Sequence, residues 1–62
     1  MNYFFNSSDS EEEIKAKNKY IKIYSQSKIE RADIIISIGG DGFLLKSLHD
    51  YHMYKKPFYG IN

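Results

Sequence analysis

The sequence contains no cysteine, and this absence excludes two common ways of stabilising a small chain. A disulfide framework and a thiolate metal site both need cysteine. Two histidines, His49 and His52, are too few for a structural zinc site, and surface or core packing is their simpler role. A chain of 62 residues has room for one small domain. Because chains of this size bury only about 60% of their unfolded surface, we expect marginal stability in isolation.

The sequence also lacks a large excess of charge of one sign, and it has no long apolar run. Nine basic residues nearly cancel eight acidic ones, which predicts no electrostatic binding to nucleic acid. The longest apolar runs, such as Ile34–Ile36, are three residues long and far too short to span a membrane. The segment Met1–Phe5 lacks the basic start and apolar stretch of a secretory signal. These absences indicate part of a soluble protein without a membrane partner. We expect a cytoplasmic location, with which the lack of cysteine is compatible.

The first half of the chain predicts a strand followed by a helix. Tyr3–Phe5 is a short aromatic run suited to a strand. Ser10 and Glu13 have the spacing of a capping box, which predicts a helix start. The segment Tyr20–Tyr24 alternates apolar residues with lysine and is also compatible with a strand. The capping signal and the charged run before it favour a helix there.

The second half predicts a strand, a helix and a further strand. The isoleucines of Ile34–Ile38 fall on both faces, as in a central parallel strand covered by helices on each side. After a glycine-rich break, the apolar spacing from Phe43 onward predicts an amphipathic helix that Pro57 ends, with Lys55 and Lys56 near its negative end. Phe58 and Tyr59 begin the third strand, and residues 60–62 are expected to form a turn.

The predicted fold class is therefore α/β, a partial parallel βαβαβ unit with right-handed crossovers. No internal repeat or low-complexity tract is visible. Such a unit leaves its last strand without cover, so we expect residues 1–62 to be part of a larger domain.

The break between the second strand and the second helix reads Gly39-Gly40-Asp41-Gly42. Glycines allow a close approach of the backbone and positive φ angles, and the N–H groups at the next helix start favour anions. Ligands of open α/β sheets bind at the carboxyl ends of strands, where this turn lies. The turn is therefore a candidate phosphate-binding site.

An aspartate in a phosphate-binding turn requires its own explanation, because its charge repels phosphate. Asp41 could hold a bridging magnesium ion, or it could accept the proton of an attacking hydroxyl. The simpler alternative is that Asp41 only caps the following helix. The turn has neither the spacing of the dinucleotide Gly-x-Gly-x-x-Gly motif nor the lysine of a P-loop.

Two blocks of the sequence resemble those of the NAD kinase family. Residues 32–49, Ala-Asp-Ile-Ile-Ile-Ser-Ile-Gly-Gly-Asp-Gly-Phe-Leu-Leu-Lys-Ser-Leu-His, closely resemble its first conserved block. Residues 57–62, Pro-Phe-Tyr-Gly-Ile-Asn, resemble the block that follows it. The resemblance is densest over residues 32–62 and extends weakly to the N-terminus, as in short bacterial forms.

The resemblance implies transfer of the γ-phosphoryl group of ATP to the 2′-hydroxyl of the adenosine ribose of NAD, giving NADP. In the family pattern Asp41 matches the proton acceptor, and Asp41 and Gly42 match the pair that contacts NAD. Gly39 and Gly40 match positions where the turn approaches phosphates. Lys46 matches a position where some members have a basic residue near nucleotide phosphate, although a solvated lysine explains it as simply. A divalent metal, Mg²⁺, is implied as cofactor.

The chain departs from the family in one residue and in length. Phe43 stands where many members have threonine. The family's further nucleotide contacts and its β-rich C-terminal domain have no counterpart in residues 1–62. The resemblance therefore implies the N-terminal portion of an NAD kinase, inactive by itself, whose full-length parent is expected to be a homo-oligomer.

Two other readings remain open from the sequence. Lipid kinases and phosphofructokinases use similar Gly-Gly-Asp-Gly turns for ATP phosphates. A non-catalytic module is the other alternative, in which the turn binds a nucleotide without turnover or an exposed sheet edge pairs with a partner.

Overall fold

A computed structural model describes residues 1–62 as a three-stranded parallel sheet with two helices. The strand order is β1-β2-β3. The predicted α/β class and βαβαβ order are confirmed. In chain order the elements are β1 (Tyr3–Ser7), α1 (Glu11–Tyr24), a 3-10 turn (Ile29–Arg31), β2 (Ile34–Ile38), α2 (Asp41–Tyr51), a second 3-10 turn (His52–Tyr54) and β3 (Phe58–Ile61).

Strand β2 lies at the centre of the sheet, as its isoleucines predict. Its Ile36 pairs with Phe5 of β1 and with Tyr59 of β3. Ile35 is 1% exposed, and Ile38 is also buried. Central burial on both faces explains why a β-branched run without charge occupies this strand.

The two helices cover opposite faces of the sheet. On one face, Phe5 of β1 stacks on Tyr20 and contacts Tyr24, which lie one turn apart on α1. On the other face, Phe4 packs edge-on against Tyr51 of α2. The i, i+4 spacing of the two α1 tyrosines directs both rings at one strand residue. This packing resolves the ambiguity of residues 20–24 in favour of a helix, as predicted.

The expectation of two right-handed crossovers is wrong for one of them. Both connections move in the same direction across the sheet, because the strand order is β1-β2-β3. Two such crossovers have the same hand only if their helices lie on the same face. Since α1 and α2 lie on opposite faces, their hands differ. The contacts of Tyr24 with Tyr3 and Phe5 place α1 over β1.

Helix α1 begins where the capping pattern predicts. Ser10 is the N-cap, and its hydroxyl accepts a hydrogen bond of 3.3 Å from the backbone N–H of Glu13. The Glu13 carboxylate in turn accepts hydrogen bonds from the hydroxyls of Ser8 and Ser10. The helix start is therefore fixed by local side chains.

The end of α2 differs from the prediction. The α-helix ends at Tyr51, and Lys55 adopts a left-handed conformation with φ 53°. A chain with this φ leaves the helical path two residues before Pro57. The charge of Lys56 does not face the end of the helix. Its ammonium donates to the carbonyls of Glu30 (3.0 Å) and Ala32 (2.6 Å).

Strand β3 is longer than predicted. It continues through Gly60 and Ile61, which were expected to lie in a turn. The N–H of Gly39 donates to the carbonyl of Ile61 at 2.9 Å and prolongs the β2–β3 pairing by one step. Pairing with the central strand therefore decides where β3 ends.

The outer edge of β1 is covered by the connector that follows α1. The Gln26 side chain accepts from the N–H of Phe5 (2.9 Å) and donates to its carbonyl (3.0 Å), as a neighbouring strand would. The N–H of Ser27 donates to the carbonyl of Tyr3 at 2.8 Å. Because these groups occupy the outer edge of β1, a strand of a partner could pair only with the outer edge of β3.

No helix of this fold combines the length and the apolar character needed to cross a membrane.

Candidate functional site

The glycine-rich turn lies at the carboxyl end of β2, between that strand and α2. Helix α2 begins at Asp41, and its N-cap is Gly40, which is extended with φ −75° and ψ 175°. No side chain caps this helix. The alternative in which Asp41 serves only as a helix cap is therefore wrong. Its carboxylate is exposed at the first helical residue and is available for another role.

The glycines of the turn are not needed for positive φ angles, because no glycine in the chain has one. Gly39 is buried, and a Cβ there would lie 2.7 Å from the Phe43 ring, so packing within the chain requires glycine. Gly40 and Gly42 differ. Apart from chain neighbours and the backbone of their own helix, nothing lies within 4 Å of a Cβ at either position. Their lack of a side chain therefore leaves open space beside Asp41.

The backbone N–H groups of the turn fall into two sets, one bonded within the fold and one without a partner in it. The N–H of Gly39 is already bonded to Ile61 within the sheet. The first hydrogen bond of α2 runs from the N–H of Leu44 to the carbonyl of Gly40 at 3.0 Å. The N–H groups of residues 41–43 precede that bond and have no partner within the helix. The positive end of the α2 dipole thus faces the open side of the turn.

Asn62 is a neighbour of Asp41 that sequence reasoning did not single out. Its side-chain amide donates a hydrogen bond of 3.1 Å to Oδ1 of Asp41. The bond between Gly39 and Ile61 aligns the ends of β2 and β3 and so brings the two side chains together. The available signal was positional, since Asn62 follows a strand at the same edge of the parallel sheet.

A buried polar cluster lies beneath the turn and joins three elements. Ser37 of β2 is fully buried, and its hydroxyl donates to Oδ1 of Asn6 on β1. The Asn6 amide donates to the hydroxyl of Ser47 on α2 at 3.0 Å. Ser47 is the one buried residue of α2. Because every member has a partner, the cluster fixes α2 against the sheet without an unpaired polar group.

Lys46 is the predicted site residue whose charge is paired within α2. Its ammonium forms an ion pair of 2.8 Å with Asp50, one helical turn further along α2. The hydrogen bond to Asp50 raises the pKa of Lys46, and the same bond lowers the pKa of Asp50. The pair uses one of the three N–H donors of the Lys46 ammonium.

The two histidines lie together at the far end of α2. Their ring centroids are 5.9 Å apart, and His52 Nδ1 lies 2.6 Å from the carbonyl oxygen of His49. His49 Nδ1 is 3.7 Å from a carboxylate oxygen of Asp50. Nowhere does the chain bring together three histidine or acidic side chains that could hold a metal ion.

Mg²⁺ fits this site only as an ion that is largely coordinated by its substrate. The turn offers one carboxylate, Asp41, and the amide of Asn62 beside it. Magnesium is commonly held by one or two carboxylates together with substrate phosphates and water. Asp41 is therefore suited to be one ligand of a phosphate-bound ion.

Two surface hollows differ in what they could accept. One, of about 490 Å³, adjoins the turn and is lined mainly by apolar side chains: Asp41, Leu44, Leu45, Leu48, Phe58 and Gly60. A larger hollow of about 590 Å³ lies at the start of α1 and is lined by Ser10, Glu11, Glu12, Glu13 and Lys15. Three carboxylates against one lysine leave that hollow with a net negative charge that repels an anion, so of these two the hollow beside Asp41 is the better candidate for a nucleotide.

Comparison with known proteins confirms the resemblance to NAD kinases. Over 41 residues the chain is 54% identical to the NAD kinases of Rickettsia rickettsii (strain Sheila Smith), Rickettsia prowazekii (strain Madrid E) and Rickettsia akari (strain Hartford). The matched segment is 66% of this chain and 16% of each relative. The chain thus matches a small part of the length of these curated relatives.

No protein-family profile matches the chain, and no solved structure matches it.

Proposed function

We propose that residues 1–62 form the N-terminal portion of the α/β domain of an NAD kinase and supply the turn that carries its proton acceptor. In this proposal the whole enzyme transfers the γ-phosphoryl group of ATP to the 2′-hydroxyl of the adenosine ribose of NAD. The observation that carries it is the exposed Asp41 carboxylate flanked by Gly40 and Gly42, around which the chain leaves open space. The similarity to the Rickettsia NAD kinases supports the same assignment.

Asp41 is proposed as the proton acceptor of the reaction. The 2′-oxygen of NAD attacks the γ-phosphorus, the bond to the β–γ bridging oxygen breaks, and ADP leaves. The hydroxyl proton passes to the Asp41 carboxylate. Asn62 occupies Oδ1, which leaves Oδ2 for the proton. When bound with ATP, Mg²⁺ neutralises part of the phosphate charge.

The glycines and Lys46 have separate proposed roles. Gly40 and Gly42 allow a bound nucleotide to approach the backbone beside Asp41. Gly39 contributes by letting Phe43 pack against the turn. Lys46, which is paired with Asp50, remains a candidate for contact with nucleotide phosphate. NAD and ATP are the proposed substrates.

The alternatives have less support. The relatives described above are NAD kinases, which favours this family over the lipid kinases and phosphofructokinases that share the Gly-Gly-Asp-Gly turn. A non-catalytic module gains support from neither the exposed carboxylate nor the comparisons.

A chimaera tests the proposal. In it, residues 1–62 replace the matching segment of the Rickettsia prowazekii NAD kinase, and NADP formation is followed with NAD, ATP and Mg²⁺. We expect the chimaera to form NADP and the isolated chain to form none, because most of the substrate site lies outside these residues. A folded chimaera without activity would contradict the proposal. NADP formation by the isolated chain that Asp41→Asn abolishes would contradict its expected inactivity.

The Gly42→Ala variant distinguishes an effect on the stability of the fold from an effect on nucleotide binding. Nothing in the chain crowds a Cβ at this position, and alanine in a helix is more stable than glycine by roughly 0.5–1 kcal/mol. We therefore expect thermal unfolding of the isolated variant to occur at an equal or higher temperature. In the chimaera the same change should lower NADP formation, because the methyl group occupies space proposed for NAD. Unchanged activity would contradict this role of Gly42.

A further inference from the structure

We propose that Asn62 is a positioning residue that holds the Asp41 carboxylate in one orientation, with Oδ2 presented to the substrate hydroxyl. The inference rests on the proposed function for its catalytic meaning and on geometry for its structural content. The glycine-rich motif predicted from the sequence does not include Asn62 or assign it this task.

The contact between the two side chains has a defined direction. An ionised carboxylate only accepts hydrogen bonds, so the Asn62 amide must present its nitrogen to Asp41. The distance from Nδ2 to Oδ1 is 3.1 Å. Hydrogen bonds to charged acceptors are stronger than those between neutral groups. A single bond to Oδ1 leaves Oδ2 without a protein donor.

The backbone around the pair is fixed on both sides. On the Asn62 side, the Gly39 N–H bonds to the Ile61 carbonyl at 2.9 Å and ties the end of β3 to the turn. On the Asp41 side, the buried chain of Ser37, Asn6 and Ser47 anchors α2 against the sheet. The remaining freedom of Asp41 is therefore in its side chain. With no cap contact to hold it, that side chain has Asn62 as its hydrogen-bonding partner.

The need for such a partner follows from the chemistry. Asp41 is exposed, so without a restraint its carboxylate would sample several staggered rotamers. Misplacing a reacting group by about 1 Å can cost roughly 100-fold in rate. A donor on the neighbouring strand reduces this freedom and leaves the proton-accepting oxygen open.

The test measures the Asp41 side-chain rotamer in the isolated chain by three-bond couplings from the backbone N and carbonyl C to Cγ. We expect one dominant rotamer in the native chain. In Asn62→Leu, which keeps the volume without the donor, its population should fall to roughly a third to a half, as three staggered wells allow. Asn62→Gln, which keeps the amide on a longer stem, should restore part of the preference.

Hydrogen exchange of the Gly39 amide reports whether β3 stays docked. We expect its protection to change less than about threefold in both variants, since the backbone bond to Ile61 does not use the Asn62 side chain. A parallel loss of Gly39 protection would show a purely structural role and overturn the inference. It would also be overturned by an averaged Asp41 rotamer in the native chain, by no change in Asn62→Leu, or by a spectrum without dispersed amide signals.

The experiment uses no nucleotide. A chimaera unable to form NADP would contradict the proposed function and leave the rotamer result standing. Conversely, an active chimaera with a disordered Asp41 side chain in the isolated chain would contradict only the positioning role.

Discussion

Replacing Asp41 with asparagine is expected to lower NADP formation by the chimaera by at least about 100-fold, because a positioned general base contributes about 10²–10⁴ to such rates. Asparagine has nearly the same size and keeps an oxygen acceptor for Asn62, but its amide cannot take up the hydroxyl proton at neutral pH. Asp41 is exposed and caps no helix, so the fold should tolerate the change. The measurement is the initial rate of NADP formation at saturating NAD and ATP.

The matched control is Glu12→Gln, which removes one exposed carboxylate from the start of α1 with the same change of net charge. Its rate should stay within about twofold of the unmodified chimaera, as expected for a solvent-exposed charge that is screened by salt and has no proposed role in the reaction. If Asp41→Asn were as active as Glu12→Gln, Asp41 would not be the proton acceptor.

Replacing Phe5 with alanine is expected to unfold the isolated chain. Phe5 is 2% exposed, stacks on Tyr20 of α1 and occupies the strand beside β2. Removing a buried phenylalanine costs about 3–5 kcal/mol. A chain of 62 residues has roughly 3–9 kcal/mol in total at typical stability per residue. The loss is therefore comparable to the whole free energy of unfolding.

Circular dichroism during thermal unfolding checks this expectation, with Leu45→Ala as the control. Leu45 is 69% exposed on α2, and alanine is a better helix former, so its transition should move little. A cooperative transition for Phe5→Ala close to that of the native chain would show that the aromatic face under α1 is not the main source of stability.

The elements with strong local signals were predictable from the sequence. Ser10 and Glu13 fix the start of α1 because capping involves only neighbouring residues. The run Ile34–Ile38 identifies the central strand because a strand covered on both faces needs mainly apolar residues. Four of its five residues are isoleucine, and the fifth is Ser37. The glycine-rich turn after it was also recognisable from adjacent residues alone, and it marked the candidate site.

The features that depend on pairing between distant residues were not predictable. The end of β3 at Ile61 follows from its pairing with β2, and no local signal opposes a turn at Gly60. The role of Gln26 depends on the connector lying along β1, a contact that spans 21 residues. The 3-10 turn that follows α2 ends at the left-handed Lys55, a conformation that lysine seldom adopts and that the neighbouring residues do not predict.

The site shows the same division. Asp41 was identified from its turn, whereas its partner Asn62 is 21 residues away and reaches it only through the alignment of two strand ends. Lys46 was singled out through the family resemblance, and the structure adds an i, i+4 ion pair with Asp50 that the sequence analysis had not considered. Sequence spacing on a helix states which residues share a face, but it does not decide between two possible partners of one charge.

The position of the transferred phosphoryl group tests the central claim most directly. The chimaera is incubated with NAD and ATP carrying a labelled γ-phosphate, and the site of the label in the product is determined by phosphorus NMR. The account predicts label on the 2′-oxygen of the adenosine ribose, in a product whose formation Asp41→Asn suppresses. Label at that position with equal yield from the Asp41→Asn chimaera, or no labelled NADP from a folded chimaera, would contradict it.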